Sequence, residues 1–202
     1  KRAARTLYIT MRDTYMDCPD RERAQWWGDE VNELGEAFYA LSPSGQLLAR
    51  KGILELVNWQ EANGVVYSPV PAGNRVIELP LQMLASVGWY GFHTQYWFSG
   101  DSTFVAEVYP KVQRYLLGTG LWEFKDNGLL NVRQGDWNWG DWGDDIDTEV
   151  LTNCWYYLAL KSQKEFARIL GKHRDAETIE ALMKRISDAF DARYWTGSAY
   201  RD

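Results

Sequence analysis

Asp17-Cys18-Pro19-Asp20-Arg21-Glu22-Arg23-Ala24-Gln25-Trp26-Trp27-Gly28-Asp29 is the stretch on which the reading of this chain turns. It crowds four carboxylates, two arginines and two adjacent tryptophans together. Neither a core helix nor a solvated loop calls for that mixture. A sugar-cleaving site does: one carboxylic acid protonates a leaving oxygen, other carboxylates hold hydroxyls, and a flat ring lies against the apolar face of the sugar.

On either side of this stretch the apolar residues recur at helical spacing. Leu7, Ile9, Met11 and Tyr15 predict a helix over 3–16, and Val31, Leu34, Ala37, Phe38 and Leu41 predict another over 29–41. Further helices are expected over 44–60, 81–98, 103–117, 147–170 and 176–194, with Asp101 capping the fifth and Pro110 kinking or splitting it. Residues 63–79 hold Gly64, Pro69, Pro71 and Gly73 and read as a long loop, the kind that is often functional; 64–67 and 76–79 are brief strand candidates. Asp126-Asn127-Gly128 reads as a turn, and 133–145, rich in Gly, Asp and Trp, as irregular. The reading is all-α, with about seven helices in short- and long-connected pairs. Acid- and aromatic-bearing loops gather at one end, as in a helical toroid. A closed toroid needs more helices, so the chain is expected to be part of one.

Composition narrows the function. Hydrophobic residues are 46% and charged residues 25%, which suits a globular domain with a real core. A net charge of -6 argues against nucleic acid as a partner, and no apolar run is long enough to insert in a membrane. The outlier is aromatic content: 11 Trp and 12 Tyr against 2 His, with many Trp beside Asp and Gly, points to a carbohydrate surface. Cys18 and Cys154 lack metal-type spacing and read as two buried thiols.

The run from Asp17 to Asp29 resembles the signature of bacterial α-L-rhamnosidases, glycoside hydrolase family 78: Asp-Cys-Pro-x-Arg-Glu, a few residues including an aromatic, then Gly-Asp. Looser matches are Gly88-Trp89-Tyr90, Ser99-Gly100-Asp101, Tyr109-Pro110, Gly128-Leu129 and Gly135-Asp136-Trp137. The resemblance implies an (α/α)6 barrel, here incomplete, that hydrolyses terminal α-L-rhamnose with inversion. Glu22 matches the general acid, Asp17 and Asp29 the carboxylates that hold rhamnose hydroxyls, and Trp26 the aromatic of the sugar site. The family's base has no matching segment in this chain, and flanking β-domains are implied for the full-length protein.

The candidates are therefore Glu22, Asp17 and Asp29 for catalysis, and Arg21, Trp26, Trp89, Asp136, Trp137 and Trp142 for substrate. As an acid Glu22 needs a raised pKa, for which Asp17 and Asp20 are the negative neighbours; Arg21 and Arg23 oppose it. The plain alternative for Glu22 is a surface ion pair with an arginine, and for Asp29 a helix N-cap. Trp26 and Trp27 are expected to face opposite ways. Asp141, Asp144, Asp145 and Asp147 lack EF-hand spacing; capping before Thr148 accounts for them, and no metal or cofactor is expected. His93 reads as a satisfied core histidine and His173 as complementing a helix dipole. Two other readings stay open: another toroid glycosidase, and a helical domain without chemistry that binds carbohydrate or a protein partner.

Overall fold

The periodic segments fold as α1 (Arg2–Thr10), α2 (Trp27–Ala40), α3 (Gly45–Asn58), α4 (Pro80–Val87), α5 (Phe92–Ser99), α6 (Ser102–Leu117), α7 (Thr148–Ile169) and α8 (His173–Tyr194). They belong to a computed structural model that describes residues 1–71, 77–138, 140 and 142–201. No strand occurs among the described residues, only isolated bridges, including Ser68 with Ile77. That bridge lies beside the expected pairing of 64–67 with 76–79; Gly73 and Val76 lie outside the described residues.

Several expectations are corrected. The first helix stops at Thr10, because Met11 is extended and the buried Tyr15 and Met16 belong to the connection that follows. The single helix over 81–98 is two, which raises the count to eight among the described residues. At Gly88 an added Cβ would lie 2.9 Å from the Ala159 Cα of α7, and at Gly91 2.0 Å from the Ser86 carbonyl oxygen. These close approaches fix a break that apolar composition alone does not reveal. Pro110 does not split α6, which runs unbroken from Ser102 to Leu117. One face of that helix, Val105, Val108, Tyr109, Val112 and Tyr115, is buried, and the Gln163 amide donates to the Tyr109 carbonyl beside the proline. That packing outweighs the one backbone bond the proline removes.

The expected caps form. Asp101 accepts from the Thr103 and Phe104 N–H groups, and Asp147 from those of Glu149 and Val150 at 2.9 and 3.0 Å. His173 is the first residue of α8, not part of the end of α7, so it sits at the positive pole of a helix and the dipole reading fails. His93 is buried and its Nε2 lies 2.6 Å from Glu165. Cys18 is half-buried and Cys154 exposed; both are free thiols, so the expectation of buried ones does not hold.

α2, α4 and α7 lie side by side in one row. Behind it α3 packs on α2 and α6, α6 on α7, and α8 along α7. The core between the rows takes Trp27, Leu34, Ile53, Leu56, Leu84, Phe92, Phe104 and Tyr156. Fully buried Trp27 meets Phe92 edge-on at 6.0 Å, and truncating such a tryptophan to alanine costs about 3–5 kcal/mol. The connection 63–71 is not a surface lid: Val65, Val66, Ser68 and Val70 are buried.

Candidate active site

Asp17 and Ala24 clasp the loop between them. The Asp17 N–H donates to the Ala24 carbonyl at 3.1 Å, and the Ala24 N–H returns a bond to Asp17 Oδ1 at 3.0 Å. The chain can close so tightly because Arg23 takes a left-handed φ of 52°, alone among the described non-glycine residues. Just beyond, Gln25 donates to the Val70 carbonyl at 2.6 Å and the Trp27 N–H to Ser68 Oγ at 2.9 Å, which ties the loop to the buried connection. α2 then starts at Trp27, so Asp29 is its third residue and not its N-cap; the cap position belongs to Trp26.

The result is a hollow of ≈370 Å³ at the N-terminal ends of α2 and α4, lined by Asp17, Cys18, Arg21, Glu22, Trp26, Asp29, Leu79, Gln82, Trp137 and Trp142. That volume suits a small ligand, and its mix of rings with a few convergent polar groups suits a sugar. Trp26 faces the hollow while Trp27 is sealed in the core. Trp137 and Trp142 enter from the irregular segment before α7. Trp139 and Asp141 lie outside the described residues.

Two substrate candidates are elsewhere. Asp136 is exposed and accepts from the Glu78 N–H at 2.8 Å, while its own N–H donates to the Glu78 carbonyl. It is a tether for the Trp137 segment, reinforced by Arg133 bonding the Glu78 carboxylate. Trp89 stacks on His93 at 4.0 Å, with the Lys161 ammonium 3.9 Å from its ring centroid. Its neighbour Tyr90 instead lines a second hollow of ≈630 Å³, with Trp155 and Asn32, which shares Asp29, Gln82 and Trp142 with the first. Gln82 and Trp155 escaped the sequence reading, and Tyr90 entered it only within the Gly88-Trp89-Tyr90 match, not as a site residue. An amide in mostly apolar α4 was the available signal for Gln82.

The electrostatics depart from expectation at Glu22. Its carboxylate meets Arg21 at 2.5 Å and accepts from the Cys18 thiol at 3.2 Å. These bonds hold its pKa down to about 2, opposite to what a neutral acid needs, because the group is exposed and its partner is positive. Asp29 goes the other way. It lies where several hollows meet, and loss of water around its carboxyl there raises its pKa, with the negative Asp17 and then Glu22 adding to the effect. Glu33, one turn along α2, is pushed up to about 8 by burial, against a bond from the Thr10 hydroxyl at 3.0 Å. Asp17, Cys18 and Glu22 offer ligand atoms within 4.8 Å of one another, but the bonds just described already engage them.

Similarity to known proteins places this arrangement. A model of the bacterial α-L-rhamnosidase six-hairpin glycosidase domain matches residues 1–201. The chain belongs to that family. Solved structures agree on the fold. The chain is similar to a family 78 rhamnosidase of Bacillus sp. GL1 (TM-score 0.82, 21% identity, 99% of this chain and 21% of that one). It is also similar to an α-L-rhamnosidase from Dictyoglumus thermophilum (0.77, 20%, 99% and 23%) and to a rhamnosidase from Klebsiella oxytoca with rhamnose bound (0.79, 17%, 96% and 37%). A search of curated sequences gave no match. The chain thus spans about a fifth to just over a third of the length of these rhamnosidases, and the eight helices of its described residues are part of a six-hairpin toroid. Among the described residues, no helix of this glycosidase domain is long and apolar enough to cross a membrane.

Proposed function

We propose that residues 1–202 are the acid-bearing part of a catalytic domain that removes terminal non-reducing α-L-rhamnose by inverting hydrolysis, with the general base outside this chain. The observation that carries the reading is the clasped loop, which presents Glu22 beside Asp17, Asp29 and the indoles of Trp26, Trp137 and Trp142 in one hollow. Asp17 and Asp29 accept hydrogen bonds from ring hydroxyls, and an indole covers the apolar sugar face. Glu22 gives its proton to the glycosidic oxygen as the bond to the anomeric carbon breaks. Water attacks the opposite face and loses a proton to the base, which requires a carboxyl separation of about 6.5–9.5 Å.

Glu22 starts this cycle ionised and paired, so substrate must displace Arg21 before the carboxyl takes up a proton. A sugar covering the hollow removes the water that now favours the charge. The same pairing favours a second reading, in which the chain by itself binds the sugar without cleaving it. Hydrolysis of an aryl α-L-rhamnoside by the complete polypeptide, beside the arabinoside and mannoside, tests the assignment. Glu22→Gln should lower turnover by about 10²–10⁴-fold with rhamnose affinity within a few-fold. Unchanged hydrolysis of a rhamnoside with a poor leaving group removes Glu22 from the role.

A further inference from the structure

One turn into α2, behind the carboxylate hollow, Glu30 is fully buried and neither of its carboxyl oxygens has a hydrogen-bond partner. The Gln25 amide oxygen is buried and unpartnered as well. Both groups crowd over Gly52 of α3: a Cβ built there would lie 2.6 Å from Glu30 Oε1 and 2.8 Å from Gln25 Oε1. The glycine makes room for two oxygens that flank the same point. The other end of the Gln25 amide is committed, since its nitrogen donates to the Val70 carbonyl at 2.6 Å and to Glu55 at 3.3 Å. Its oxygen can only accept, and it approaches the same point over Gly52 as Glu30 Oε1 does.

Two bare oxygens in a dry pocket repel each other, and an ionised carboxylate buried without a partner is costly enough that such groups take up a proton instead. The surrounding charges do not offer a way out. Lys51 of α3 is bonded to Glu55 at 2.6 Å, Glu33 of α2 and Glu55 add negative potential, and the Tyr15 hydroxyl donates to the Gly45 carbonyl. Burial and these neighbours push the Glu30 carboxyl well above its usual range.

We propose that Glu30 is a neutral carboxylic acid that donates its proton to the Gln25 amide oxygen, and that this bond holds the carboxylate loop in register with α3 and Val70. Glu30 is then a positioning residue: it touches no substrate but fixes Gln25, which anchors the chain between Glu22 and Asp29. Its importance for rhamnoside chemistry rests on the function proposed above; its protonation does not.

The test compares the wild-type chain with Glu30→Gln, Glu30→Ala and Glu33→Gln. With 13C-labelled glutamate, the wild type at pH 7 should show one protonated-carboxyl signal from Glu30 and another from Glu33; the first should vanish in Glu30→Gln and survive in Glu33→Gln. Because the glutamine amide can donate to Gln25 as the acid does, Glu30→Gln should melt within a few degrees of wild type. Glu30→Ala, which leaves the Gln25 oxygen bare beside a void, should melt roughly 5–15 °C lower. Rhamnose affinity should follow the same order, retained in the glutamine variant and weakened in the alanine one. Should the alanine variant not fold, the glutamine comparison decides alone. A set of protonated-carboxyl signals that loses none in Glu30→Gln, or a glutamine variant as unstable as alanine, overturns the proposal. A wild-type chain that shows the signal but binds no rhamnose leaves the proposal standing and removes the sugar-site reading.

Discussion

Replacing Glu33 by Gln isolates a single proton. The carboxyl is pushed from 4.5 up to about 8, first by burial and then by Asp29, Asp17 and Glu36, while the Thr10 hydroxyl pulls the other way. Below about pH 4.5 the group is protonated in folded and unfolded chains alike, so nothing is lost there. Between there and about 8 the unfolded chain ionises while the folded one keeps its proton, so each rise in pH favours unfolding; above that window the loss is complete. One proton is worth about 1.4 kcal/mol per pH unit, or roughly 5 kcal/mol over the whole window. Glu33 is only partly buried, and solvent screening reduces this to about 2–3 kcal/mol. Glutamine keeps the shape and still accepts from Thr10, but does not titrate. Urea titrations of both chains at steps from pH 5 to pH 8 should diverge by that amount, equivalent to about 5–10 °C in midpoint. Parallel curves would show that Glu33 titrates normally and refute the argument from burial.

Gly91→Ala should cost about 3 kcal/mol or more by thermal unfolding, because its Cβ would stand 2.0 Å from a main-chain oxygen that cannot rotate away. Asp147→Ala removes the acceptor that caps α7 and should cost about 1 kcal/mol, a midpoint drop of roughly 2–4 °C. Arg133→Ala leaves the Glu78 carboxylate, 9% exposed, without its charge partner, and should destabilise by about 3 kcal/mol. Since Glu78 also anchors Asp136, the same change should loosen the Trp137 segment and quench or shift its indole fluorescence.

What the sequence made legible depended on range. α7 and α8 could be read from apolar spacing and the Asp147 cap, because those signals are local. The break between α4 and α5 could not, since both halves are core helices and the glycines act through Ala159 and Ser86. Asp17, Glu22, Trp26 and Asp29 lie within one short stretch, and one clasp gathers them around the hollow. Trp89 and Tyr90 are neighbours where the helix breaks, so no periodicity told which ring would face inward. Asp136 was read as a sugar ligand because its composition fits one; its backbone partner, Glu78, is distant in sequence. At Glu22 the error was one of balance: adjacent Arg21, free to reach an exposed carboxylate, outweighs the acids nearby.

Because Asp17 and Ala24 bond to each other by main chain and side chain, the intervening residues hang from a closed neck. What lies beyond such a neck can be exchanged as a cassette without repacking the helices beneath. Residues 18–23 are therefore a natural unit for grafting between relatives, and the place where new leaving-group preferences can be selected at little cost to folding.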